Sequence, residues 1–188
     1  MRSKLAVGIT GNVVAKGYVI LSGPPASGKS TLGPRLAETL NWPYLAKDTI
    51  KQALIAELGA PDVATSRRLG AAAMAALVAV ATDAGCGVLD GNWRRDRTPR
   101  LVQQLPGSVV EVFCRCRQEL LEERYRVRAA TRGPGHFDLQ RSWAELWGDD
   151  TAEPAAGGWP VIEVDTTTAI DVDVLAHEVR TKLASRLM

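Results

Sequence analysis

Short apolar runs alternate with stretches of helical period along this chain. Tyr18-Val19-Ile20-Leu21 is the kind of β-branched, apolar run that forms a buried strand, and Leu32, Leu36 and Leu40 follow at helical spacing across Ser30 to Leu40. Trp42 to Ala46 is expected as a second strand, followed by a helix from Thr49 to Leu58 that Gly59-Ala60-Pro61 terminates. An Ala-rich helix over Asp62 to Ala84, closed by Gly85, precedes a short strand at Gly87-Val88-Leu89-Asp90. A helix from Pro99 to Leu105 leads through Pro106-Gly107 to Ser108–Cys116, the strongest strand signal in the chain. Arg117 to Arg132 reads as helix and is broken by Gly133-Pro134-Gly135; a short amphipathic helix over Leu139 to Trp147 and a loop over Asp149 to Gly158 come next. Trp159 to Asp165 is the last expected strand. The final helix starts near Asp171, a cap or first-turn residue, with Val174, Leu175, Val179 and Leu183 on one face.

Strands and helices in this order imply right-handed crossovers, hence an α/β fold with a mostly parallel sheet of about five strands and helices on both faces. Function is expected at the carboxyl ends of the strands. Residues 1–17 read as a tail or as a hairpin turning at Gly11-Asn12, and residues 18–188 as one domain. A length of 188 residues with 46% apolar content suits a single core, with no internal repeat. The balance of 23 basic and 21 acidic residues gives no large field, which argues against coating nucleic acid or a membrane. No apolar run is expected to span a bilayer, Leu5 to Ile9 being too short for a secretory core, and the chain is expected to be cytoplasmic, working as a monomer or homodimer. Cys86, Cys114 and Cys116 read as buried thiols, because neither His136 nor His177 stands at a metal-site spacing from them.

Gly23-Pro24-Pro25-Ala26-Ser27-Gly28-Lys29-Ser30 spells G-x-x-x-x-G-K-[ST] between an expected strand and an expected helix, the context in which that pattern cradles phosphates. A helix N-terminus offers free N–H groups and the positive end of the dipole to a polyanion. Gly23 and Gly28 allow close backbone approach, Lys29 is expected to reach the β- and γ-phosphates, Ser30 to ligate Mg²⁺ and Thr31 to meet the α-phosphate of a nucleoside triphosphate.

Asp48 and Asp90 fall at expected strand ends, facing that loop. Phosphoryl transfer needs one carboxylate to take the proton of the attacking hydroxyl and another to orient the metal or its water shell. Asp48 suits the base, with an N-cap for the following helix as its alternative role. Asp90 suits the metal shell and is alternatively a turn residue before Gly91-Asn92, where Asn92 is a candidate for holding the acceptor or a water.

Two basic clusters stand out. Arg124, Arg128 and Arg132 recur at helical spacing with no acid four residues before any of them, a stripe that either faces solvent or closes over phosphates as part of a lid around residues 117–148. Trp93-Arg94-Arg95-Asp96-Arg97-Thr98-Pro99-Arg100 either contacts a polar or anionic acceptor, through Arg94 and Arg97, or is an exposed helix lead-in with Thr98 as cap. Trp143 and Trp147 read as packing of the short helix, and Thr166-Thr167-Thr168 as a candidate adenine contact.

With the loop, Asp48, Asp90-Gly91-Asn92 and the arginine helix, residues 18–188 resemble the small P-loop kinase-like ATPases, which include gluconate kinase, chloramphenicol phosphotransferase, zeta-toxin and polynucleotide kinase relatives. The resemblance implies a P-loop NTPase fold with an adenylate-kinase-like core and a small helical lid, ATP and Mg²⁺ as cofactors, an acceptor-activating Asp48 and lid arginines drawn from Arg124, Arg128 and Arg132. The expected activity is transfer of the γ-phosphoryl of Mg·ATP to a hydroxyl of a small-molecule acceptor. The competing readings are a kinase of nucleic-acid ends and a nucleotide-driven switch. No N-K-x-D motif is present, which counts against a guanine switch.

Overall fold

The computed structural model describes residues 16–131 and 135–185. The possible hairpin at Gly11-Asn12 and Arg132 both lie outside the described residues. The chain runs β1 (Tyr18–Ser22), α1 (Lys29–Leu40), β2 (Tyr44–Ala46), α2 (Lys47–Leu58), α3 (Val63–Ala84), β3 (Gly87–Asp90), α4 (Thr98–Val102), β4 (Val109–Arg115) and α5 (Gln118–Thr131). A 3₁₀ turn at Asp138–Gln140 precedes α6 (Trp143–Trp147), α7 (Asp149–Ala152), β5 (Val161–Asp165) and α8 (Val172–Ala184).

All five strands are parallel in the order β2-β3-β1-β4-β5. β1 is central and wholly buried, as its unbroken apolar run requires. Its two neighbours connect outward in opposite directions, so the loop after β1 opens at the switch point where α/β sheets bind ligands. One face of the sheet packs against α1 and α8 through Leu32, Leu36, Val179 and Leu183, and the other against α3 and α4 through Met74, Leu77, Val78 and Val102.

Several expectations need correction. Asp48 is not an N-cap: α2 starts at Lys47, its N-cap is Ala46, and Asp48 sits inside the first turn. The helix expected over Leu139–Trp147 is split, because the Ser142 hydroxyl accepts from Glu145 N while the Glu145 carboxylate accepts from Ser142 N, a capping box that starts α6 afresh. The loop expected from Asp149 begins with α7, where the Thr151 hydroxyl donates to Leu146 O at 2.9 Å. Thr98 is neither a cap nor exposed, since it is the first residue of α4 and donates to Arg94 O at 2.6 Å from full burial. Val174 is exposed on α8, and Ala176 fills the buried stripe beside Leu175, Val179 and Leu183. By length and composition alone α3 could cross a membrane, contrary to the expectation that no run reaches that length; here its apolar stripe packs on the sheet.

Glu111 explains a feature that periodicity could not. This carboxylate lies in the middle of β4 at 0% exposure and accepts from the Ser22 hydroxyl, Ala155 N, Ala156 N and Trp159 Nε1 at 2.6 to 2.9 Å. It thereby ties the last residue of β1 to the loop before β5. A buried carboxylate is tolerated only with such a set of donors. Glu111→Gln turns one acceptor oxygen into a donor facing N–H groups, and should lower unfolding free energy by about 2–3 kcal/mol in urea titrations.

Candidate active site

The phosphate loop leaves β1 at Gly23, where φ is +121° and an added Cβ would lie 2.5 Å from Cys114 O, so only glycine fits. Ala26 also holds a positive φ, +67°, and Gly28 caps α1 at φ +88° with no side-chain hydrogen bond. Positive-φ residues set between ordinary ones turn successive amides toward a common centre, the geometry of an anion nest. Lys29 folds over this loop, donating to Gly23 O at 2.8 Å, Pro24 O at 2.7 Å and Ser27 Oγ at 3.4 Å. Burial lowers its pKa, and the negative charge of Asp90 opposes that shift.

Ser30, at the second position of α1, donates to Asp90 Oδ2 at 2.7 Å across the β1–β3 crevice. The carboxylate terminates β3 with 8% exposure. Asp90 and Asp48 line the same cavity as Gly23, Lys29 and Ser30, of about 740 Å³. Pro25, Ala26, Ser27, Gly28 and Thr31 also line it. Pro24 faces a separate small pocket and contributes its carbonyl to Lys29. Asp48, at the start of α2, has a half-exposed side chain paired with the much more buried Lys47 at 3.0 Å.

Arg124 and Arg128 of α5 both border the cavity. Arg124 donates to Thr166 O and Cys116 Sγ, each at 3.4 Å, and Arg128 stacks over the Tyr125 ring at 5.2 Å. Thr166 is more than a wall. Its hydroxyl lies 2.7 Å from both Ser27 O and Arg115 O and so links the phosphate loop to the ends of β4 and β5. Thr167 does not line the cavity and instead folds onto Asp165 and Cys116.

The second basic cluster is placed differently from expectation. Asn92 reaches the cavity, whereas Arg94 and Arg97 are absent from its lining. Arg94 pairs with Asp150 at 2.5 Å and Arg97 with Asp96 at 3.3 Å, while Trp93 is buried and donates to Leu89 O. Acids supplied by α7 and by the cluster itself neutralise these arginines, which spacing alone did not reveal.

Further residues, which the sequence did not single out as site residues, also line the cavity. Tyr44, Lys47 and Lys51 come from β2 and α2, and His136, Asp138 and Arg141 from the segment after α5. Lys51 is 1% exposed and donates to Ser66 Oγ at 2.7 Å; that hydroxyl donates onward to Gly135 O. Gln52 and His136 meet at 2.7 Å. These bonds fasten α2 and α3 to the segment after α5. Only the repeat of lysine at positions 47 and 51, next to Asp48, could have flagged them.

A loop of this geometry, opening from the central strand of a parallel sheet onto a helix N-terminus, with its serine hydrogen-bonded to a carboxylate at the end of the neighbouring strand, defines a P-loop nucleotide-binding protein. A family model described as an AAA domain matches residues 19–146, and the chain belongs to that family and to the small P-loop kinase-like proteins. A "putative kinase" from Chloroflexus aurantiacus is 32% identical, covering 90% of this chain and 99% of its own, with a TM-score of 0.75. A gluconokinase from Sinorhizobium meliloti shares the fold at 20% identity and a TM-score of 0.53, over 92% of this chain and 94% of its own. The APS kinase of Mycobacterium tuberculosis, solved with AMPPNP and APS, shares it at 21% identity and 0.56, over 90% and 98%. No curated protein matches the chain.

Proposed function

We propose that the chain is an ATP-dependent kinase that moves the γ-phosphoryl of Mg·ATP to a hydroxyl of a small-molecule acceptor. The observation that carries this reading is one cavity lined by the phosphate loop, by Asp90 bonded to Ser30, and by a second carboxylate, Asp48, at the start of α2. The relatives named kinases support it, among them proteins whose names specify gluconate and APS.

The residues divide the work. The phosphate loop and the first turn of α1 bind the triphosphate, and Lys29, Arg124 and Arg128 supply positive charge along it. Asp48 takes the proton of the acceptor hydroxyl as its oxygen bonds to the γ-phosphorus and the bond to the bridging oxygen breaks toward ADP. Ser30 Oγ and the Asp90 carboxylate are hard oxygen donors that suit Mg²⁺, which takes few protein ligands and completes its shell with phosphate and water. Bound there, the ion would neutralise charge on the phosphates. The pairing of Arg94 and Arg97 with acids and the burial of Trp93 weigh against a track for a nucleic-acid backbone.

Incubation with Mg·ATP and a pooled set of sugars, nucleosides, aminoglycosides and other antibiotics, read by mass spectrometry, tests the reading. One acceptor should gain a phosphoryl group in the parent protein and in no Lys29→Ala sample. ATP loss without any modified acceptor would replace the kinase reading with that of a nucleotide-driven switch.

A further inference from the structure

We propose that Tyr44 is a positioning residue for the metal-site carboxylate, holding Asp90 in the orientation that Mg²⁺-dependent nucleotide binding needs. The Tyr44 hydroxyl donates to Asp90 Oδ2 at 2.8 Å, and Ser30 Oγ donates to the same oxygen at 2.7 Å. Both bonds engage Oδ2 and neither engages Oδ1. A carboxylate held by one hydroxyl can still turn about its terminal torsion, which is a broad, shallow well. Two donors from different elements, α1 and β2, oppose that rotation and leave Oδ1 as the oxygen that would face a bound ion or its water.

The surrounding chain is shaped for this contact. Gly33 lies inside α1, where glycine costs about 1 kcal/mol relative to alanine. A Cβ there would stand 2.4 Å from Tyr44 Cε2 and 3.1 Å from Cδ2, so the missing side chain is the space through which the ring reaches Asp90. β2 is a three-residue edge strand, and the ring packs against the core of which α1 forms part. Phenylalanine would serve that packing equally, so the hydroxyl is explained by its bond to Asp90.

The inference rests on the Mg·nucleotide half of the proposed function and is tested apart from transfer. Calorimetry of ADP binding in EDTA and across a Mg²⁺ titration is compared for the parent, Tyr44→Phe and Lys29→Ala. Tyr44→Phe keeps the ring and removes only the donor. The half-saturating Mg²⁺ concentration should rise about tenfold or more, as expected for loss of a hydrogen bond to a charged group. Affinity for ADP in EDTA should match the parent, and the melting temperature should stay within about 4 °C of it. An unchanged Mg²⁺ titration overturns the proposal and leaves the kinase reading standing. Equal losses with and without Mg²⁺, together with a lower melting temperature, would make Tyr44 a packing residue and overturn it as well. A parent protein whose ADP binding ignores Mg²⁺, or a Lys29→Ala variant that binds ADP as the parent does, would bring down both this inference and the metal-nucleotide reading beneath it.

Discussion

Lys29→Ala should reduce phosphoryl transfer by about 1,000-fold or more, the scale of losing a preorganised charge aimed at the transition state. The ammonium is held against Gly23 O, Pro24 O and Ser27 Oγ, and α1 begins at this very residue, so its charge and the helix terminus would act together on the phosphates of a bound nucleotide. Alanine favours helix, and the fold should survive: circular dichroism and the melting curve should resemble the parent's. A steady-state coupled assay measures the loss, and turnover equal to the parent's would remove Lys29 from the chemistry.

Asp48→Asn should lower kcat by about 100-fold or more while leaving ATP affinity nearly constant, because an amide cannot accept the hydroxyl proton. The stability cost is a separate quantity. Asp48 lies in the first turn of α2, its carboxylate is half-exposed and paired with Lys47, and the cap position belongs to Ala46. Losing a negative charge near a helix N-terminus costs about 0.3–1 kcal/mol. Kinetics and melting therefore separate the two roles cleanly. Normal transfer with reduced stability would leave Asp48 with a helix-stabilising role only.

The central layout could be read from local pattern because its signals are local. The apolar run of β1, the glycines at 23 and 28 and the leucines of α1 lie within about one strand, one turn and one helix, where periodicity and backbone freedom speak directly. Most strand and helix boundaries fall within two residues of expectation, and the misses cluster where short segments follow one another. Between residues 138 and 152 a capping box and single-turn helices divide what period alone would read as one helix and one loop. In so short a stretch the hydrogen bonds of Ser142, Glu145 and Thr151 outweigh the apolar repeat.

Of the residues that line the cavity, Lys29, Ser30 and Asp90 stand out in the sequence because each holds a defined offset from the loop or a strand end. Tyr44 and Lys51 in the cavity, and Glu111 inside the sheet, do not. Tyr44 resembles any strand aromatic until its ring is seen crossing above Gly33 to Asp90, 46 positions away. Glu111 breaks the apolar pattern of β4, and its four donors come from β1 and from the loop before β5. Arg94 and Arg97 erred in the opposite direction: a basic run looks available for substrate until Asp150 and Asp96 are found against it.

Local residue order is enough to specify a parallel α/β sheet and a phosphate-cradling turn between its first strand and first helix, since both follow from side-chain period and glycine placement within short spans. Tertiary structure alone decided which carboxylate meets Ser30, which arginines reach the cavity and which are cancelled, and how Lys51 and Gln52 fasten α2 to the segment after α5. Those outcomes depend on charges and hydroxyls from segments distant along the chain meeting at a few ångströms. No window of sequence encodes such distances, because they emerge only when the sheet order brings the strand ends together.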